Sequence, residues 1–178
     1  FERESDVRKR QEQLASLVSK LVIVTFSLKS QHLETFEVGN LKVIPTNSPS
    51  KIRYIFDAIK IAKKEENIDL ISTQDPFESG LVGVLLKKAL NARLQIQIHT
   101  DFLSPYFIDN LLNFVRYTLS FFTVSRANRL RVVSSRIENS LKRKFKNHPP
   151  IDILPVYYNV EKPKEAVIKD IHHKYPEY

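Results

Sequence analysis

The sequence predicts an α/β fold, a parallel sheet with helices on both faces. Two observations lead there. Strand-like and helix-like segments alternate about six times, and the strand-like ones are short, rich in β-branched residues and nearly all apolar. Strands of that kind are covered on both sides. Regular alternation makes each helix the crossover between parallel strands. No internal repeat or low-complexity tract interrupts the order.

Each element has its own signal. Val7, Leu14, Leu17, Val18 and Leu21 recur at helical spacing, with Ser5 or Asp6 available as a cap. Residues 21–26 read as a buried strand and residues 41–44 as a second, stopped by Pro45. Asn47-Ser48-Pro49-Ser50 is a loop, and Ile52, Ile55, Phe56 and Ile59 mark a helix. Residues 68–72 form a strand ending in the turn Gln74-Asp75-Pro76. The helix over residues 77–90 contains Gly80 and Gly83, which weaken a helix and so imply close approach to a neighbour. Residues 94–98 alternate apolar and polar, the mark of a half-exposed strand. A helix over 111–127, a strand over 130–133, a helix over 134–146 and a strand over 151–154 complete the domain. Residues 156–163 read as a linker, and 165–175 as one more helix before Pro176.

The chain has 178 residues, enough for one domain whose folding hides roughly 70% of the surface of the unfolded chain. It lacks cysteine, which excludes disulfides and thiolate metal sites. It also lacks methionine and starts at Phe1, as expected of a piece of a longer protein. No signal peptide and no membrane-spanning run is visible. The net charge of +8 is concentrated in residues 112–146, where nine basic residues face the single acid Glu138. Such a stretch implies an anionic partner, or else an ordinary solvated face.

In an open parallel sheet, ligands bind beyond the carboxyl ends of the strands. That rule selects Ser27, then Gln74 and Asp75, then His99, Thr100 and Asp101, and finally Ser134, Ser135 and Arg136. His, Asp and Arg side chains at one edge suit the binding of hydroxyls and phosphates. A histidine there can exchange a proton near neutral pH. Each has a structural alternative. His99 can be a satisfied framework residue, Asp75 can cap the helix after Pro76, and Ser134 can cap its own helix. The glycines Gly39, Gly80 and Gly83 form no phosphate-binding loop. His32, His99 and His148 lack metal-ligand spacing, and the adjacent His172 and His173 do not share a helix face, so no metal is expected.

Several segments taken in order resemble glycosyltransferase family 4. Residues 68–80, Ile-Asp-Leu-Ile-Ser-Thr-Gln-Asp-Pro-Phe-Glu-Ser-Gly, resemble its strand followed by Q-D-P and E-x-G. Residues 97–102, Gln-Ile-His-Thr-Asp-Phe, look like its H-G-D element, with Thr100 in place of the glycine. Residues 130–137 look like its V-V-S-x-x-I strand and helix. Ile153-Leu154-Pro155 with Asn159-Val160 resembles the exit to the inter-domain linker, and residues 169–176 the helix opening the second domain.

The resemblance implies a GT-B fold. Two Rossmann-like domains face a cleft, the N-terminal one binding the acceptor and the C-terminal one the nucleotide-sugar. Residues 1–155 would be the Rossmann-like acceptor domain without its first strand, and 156–178 the linker and opening helix of the donor domain. It implies transfer with retention and without a metal. His99 would be catalytic, and Gln74, Asp75, Thr100, Asp101, Ser134 and Arg136 would bind acceptor. No cofactor is expected beyond the donor, bound mainly by the other domain, so this chain alone would be inactive. The expected acceptor is a glycan or lipid-linked sugar made into polysaccharide. The expected location is the cytoplasm, with peripheral contact at the inner face of an anionic membrane through the basic stretch and Phe114, Tyr117, Phe121 and Phe122. No nucleic acid is expected. The competing reading is a stand-alone Rossmann-like binding module whose basic face takes nucleic acid or a protein partner.

Overall fold

A computed structural model describes residues 6–155. The linker and terminal helix expected at 156–178, and Ser5 as a cap, lie outside the described residues. The α/β reading holds. The element order is α1 (Asp6–Ala15), β1 (Leu21–Thr25), β2 (Phe36–Val38), β3 (Leu41–Pro45), α2 (Tyr54–Ala62), β4 (Leu70–Thr73), α3 (Glu78–Ala89), β5 (Arg93–Ile98), α4 (Leu111–Val124), β6 (Arg129–Val132), α5 (Ser135–Lys144) and β7 (Ile151–Ile153).

The strands form two sheets, one in the order β1-β3-β2 and one in the order β4-β5-β6-β7. β1 pairs parallel with β3, and β2 antiparallel with β3. All pairs in the four-stranded sheet are parallel. The sequence pattern did not predict β2, which is three residues long with Glu37 at its centre. It joins β3 through Gly39, whose φ of 56° is left-handed. Pro45 does not precede the strand end but forms it, pairing with Thr25. A strand's last residue can do without an N–H. α1 stops at Ala15, earlier than the periodicity suggested, and leaves Leu17 and Val18 exposed.

In the small sheet the two faces meet different helices. Leu21, Ile23, Leu41 and Val43 pack with Ala15 of α1, whereas Val24, on the other face of β1, packs on Ala58 of α2. The four-stranded sheet advances one strand at a time in one direction, so right-handed crossovers bring α3, α4 and α5 to the same face. Leu94, Ile96, Ile98, Leu130 and Val132 fill that face, packed with Val124 of α4 and Ile137 and Leu141 of α5. The intervening residues Ser72, Gln95, Gln97, Arg129, Arg131 and Asp152 line the opposite face.

The two helix glycines lie at close contacts, as the sequence implied. A Cβ on Gly80 would stand 3.0 Å from the Asp75 carbonyl oxygen and 3.4 Å from Thr123 Cβ. One on Gly83 would stand 2.6 Å from Leu94 Cδ1 and 2.7 Å from Thr73 Cγ2. α3 therefore sits low on the sheet and close to α4. The two sheets share one apolar layer, since Val24 of β1 and Ile71 of β4 both pack on the cluster of Ala58, Val82 and Leu86. No hydrogen-bond ladder joins β1 to β4.

Candidate functional site

β4, β5 and β6 lie side by side in one direction, so the residues that follow them gather at one edge. The predicted positions 74–75, 99–101 and 134–136 meet there. Ser27 does not belong to this cluster. It is buried where β1 and β3 end, taking the Asn47 N–H on its Oγ at 2.9 Å and giving its own N–H to Thr46 Oγ1 at 2.9 Å. Those bonds tie two loops together, a structural duty.

His99 continues the polar face of β5, in step with Gln95 and Gln97. Its ring reaches solvent, yet its pKa lies below the ordinary value of 6.5. Partial burial disfavours the imidazolium, Arg131 repels it, and Asp75 opposes both. The ring is thus neutral at pH 7 and presents one N–H donor and one nitrogen acceptor.

A row of hydrogen bonds crosses the sheet beneath it. Arg131 Nη1 donates to Gln97 Oε1 at 3.0 Å, and Gln97 Nε2 donates to Ser72 Oγ at 2.9 Å. Arg131 Nε is buried with no partner among the described residues. Sequence reasoning passed over Arg131 because it looked only beyond the strand ends. The alternation Leu130-Arg131-Val132 was the signal that placed its side chain on the His99 face.

Asp101 is fixed against α5. Its Oδ2 accepts from Arg136 Nε at 3.3 Å and from Ser140 Oγ at 3.4 Å. Its Oδ1 is buried and has no partner among the described residues. Arg136 leaves most of its side chain in solvent. Ser140, one turn on from Arg136, was missed because its spacing from Asp101 is visible only in three dimensions.

Of the structural alternatives, the Ser134 cap holds, whereas Asp75 does not cap α3, whose N-cap is Phe77 without a side-chain bond. Asp75 Oδ1 accepts the Phe77 N–H at 2.7 Å, an Asx turn across Pro76 that leads the chain into α3. Ser134 is the N-cap of α5, its Oγ accepting the Ile137 N–H at 3.4 Å. Neither duty removes them from the edge. Asp75 still acts on His99 through space, and the Ser134 hydroxyl keeps a proton to donate. Gln74, Thr100 and Ser135 are exposed.

Among the described residues no three His, Asp or Glu side chains converge as a metal site. Two concavities lie apart from His99. One of about 680 Å3 sits at the opposite end of the sheet, lined by Ser125, Asn128, Lys146 and His148 among others. The other, about 300 Å3, lies beside the end of β3 and includes Asn47 and Lys60. At the His99 edge, His99 and Arg136 are exposed together with Gln74, Thr100 and Ser135.

A family model for Glycosyltransferase Family 4 matches residues 11–162. The chain belongs to glycosyltransferase family 4. No curated protein matches it. Membership bears out the likeness read in residues 68–80, 97–102 and 130–137, all within the matched span. It makes sugar transfer the function class, with a sugar donor and an acceptor as substrates.

Proposed function

We propose that this family 4 chain is the acceptor side of a retaining glycosyltransferase whose donor, a nucleotide-sugar, is held mainly by a second domain. Residues 1–155 form the acceptor-binding unit in this reading, and 156–178 lead into the donor domain. The observation that carries it is the gathering of Asp75, His99, Asp101 and Arg136 at the carboxyl edge of β4–β6.

His99 is the proposed catalytic residue. A neutral imidazole can donate a hydrogen bond to a sugar hydroxyl, or accept one, without a net charge to desolvate. Asp101 stands at the same edge with Oδ2 held by Arg136 and Ser140 and Oδ1 buried, so its part on the acceptor side is to hold Arg136 in place. Gln74, Asp75, Thr100 and Ser134 complete the acceptor side. Arg136, largely in solvent, can meet a phosphate of acceptor or donor. A polysaccharide precursor, either a free glycan or a sugar on a lipid carrier, fits these groups.

The test uses an enzyme that contains this chain together with a donor domain. His99→Ala is expected to lower kcat by at least about 10²-fold, with little change in folding. Unchanged turnover would return His99 to the framework. The 178-residue chain alone is expected to bind acceptor without transferring sugar, read by saturation-transfer NMR beside a turnover assay. Transfer by the chain alone would sink the two-domain reading.

A further inference from the structure

The end of the four-stranded sheet away from His99 has a one-sided chemistry. Where β6 and β7 begin lies the concavity of about 680 Å3, with Asn128, Lys146 and His148 on one side and Ala127, Pro149 and Pro150 as its apolar wall. Its volume is that of a small-molecule pocket, roughly 300–1,000 Å3. The sugar-transfer reading makes no use of it.

Most acceptors of this lining are already spent. Asn128 Oδ1 accepts the Leu94 N–H at 2.9 Å, and the Pro150 carbonyl accepts the Leu130 N–H at 2.9 Å. His148 Nδ1 stands 2.8 Å from the Pro149 carbonyl. A carbonyl can only accept, so Nδ1 carries the proton. Ser125 Oγ turns back on its own helix and donates to the Phe122 carbonyl at 3.1 Å. Donors remain. With its oxygen fixed on Leu94, the exposed Asn128 amide turns its NH2 the other way. Lys146 is exposed and holds no carboxylate among the described residues.

The surrounding charge has the same sign. Of the nine cations in residues 112–146, Arg116, Arg129, Arg136 and Lys142 each hold a carboxylate. Asp152 of β7 gives both its oxygens to Arg129, so it is not left for Lys146. Other cations collect where the helices end. Arg126, next to Ser125, lies 3.7 Å over the Phe122 ring, and Lys87 Nζ donates to the Arg126 carbonyl at 2.9 Å. Lys144 lies 5.6 Å over the Phe121 ring. A concavity with free donors, few free acceptors and cations around it attracts an oxyanion.

We propose that this concavity binds the phosphate group of a small soluble molecule, with Lys146 Nζ and the Asn128 amide donating to its oxygens and the Pro149–Pro150 wall carrying the rest of the ligand. Lysine meets phosphate as a point charge, and the fixed amide adds direction. The site stands at the opposite end of the sheet from His99 and does not depend on the sugar-transfer reading.

The experiment is an NMR titration of the 178-residue chain with inorganic phosphate and with a hexose phosphate, against chloride at matched ionic strength. The Asn128 side-chain amide and the His148 ring signals are expected to shift and saturate with both phosphates and to stay in place with chloride. The hexose phosphate should bind at least as tightly, since its ring meets the proline wall. Lys146→Glu should weaken binding by at least about tenfold, the loss of one hydrogen bond to a charged group. Asn128→Asp keeps an oxygen for the Leu94 N–H and puts a negative oxygen where the NH2 stood. It should abolish binding while the Leu94 amide signal stays folded. Equal shifts with chloride, a response that never saturates, or full affinity in both variants would overturn the proposal. So would Lys146-dependent co-sedimentation with phosphatidylglycerol vesicles by a chain that ignores both soluble phosphates, which would assign these donors to a lipid headgroup.

Discussion

The four-stranded sheet has two unlike faces built from the same strands. On one, Leu94, Ile96, Ile98, Leu130 and Val132 are sealed beneath α3, α4 and α5. On the other, Ser72, Gln97 and Arg131 join in a hydrogen-bonded row that ends near His99. Because successive side chains on a strand point opposite ways, a single residue step moves from stability to candidate chemistry. The contrast teaches that the site is held rigid by a core it does not touch.

The sharpest way to break this contrast is to cut adjacent residues. Ile96→Ala should cost about 2–5 kcal/mol, as a large side chain removed from a sealed core. Gln97→Ala should cost less than about 1.5 kcal/mol, the worth of a partly solvated hydrogen bond. Urea unfolding of both variants measures the difference, and equal losses would mean that the faces are not distinct. Next in size, Gly83→Val should lose about 1–3 kcal/mol by overpacking against Leu94 and Thr73. A neutral result in the same assay would show α3 free to lift off the sheet.

Smaller effects concern the polar face. Arg131→Gln removes a repelling charge, so the His99 pKa should rise toward its ordinary value, followed by NMR titration of the imidazole. No movement would mean that burial alone sets it. The folded-state pKa of His99 is depressed, so below pH 6.5 the unfolded chain takes up that proton more readily than the folded one. Stability is therefore full above that pH and declines as pH falls below it. His99→Gln should flatten this part of the profile. A profile unchanged by the substitution would assign the acid sensitivity elsewhere.

Much of the fold was legible. Strand positions followed from runs of β-branched residues, and the cap at Ser134 from its side-chain chemistry, whereas Asp75 makes an Asx turn before α3 rather than its cap. The tight seat of α3 was visible in Gly80 and Gly83. β2 was not, because three residues with a central glutamate carry no period, and its partner β3 supplies the ordering. Of the site, the strand ends were readable, but Ser140 and Arg131 were not, since each joins through a neighbouring element. The basic stretch looked uniform in sequence. In space it divides into cations neutralised by carboxylates and cations collected at helix ends, a distinction only packing can make.

One feature of the architecture bears on how the chain behaves in company. β1 and β4 each end their sheet, and both rest on the apolar layer around Ala58, Val82 and Leu86. Each offers a row of backbone donors and acceptors along one side, beside apolar side chains already ordered for pairing. Unpaired rims of that sort template further strands. Among the described residues, two strand rims thus flank one apolar layer, an arrangement that favours pairing with a further extended segment.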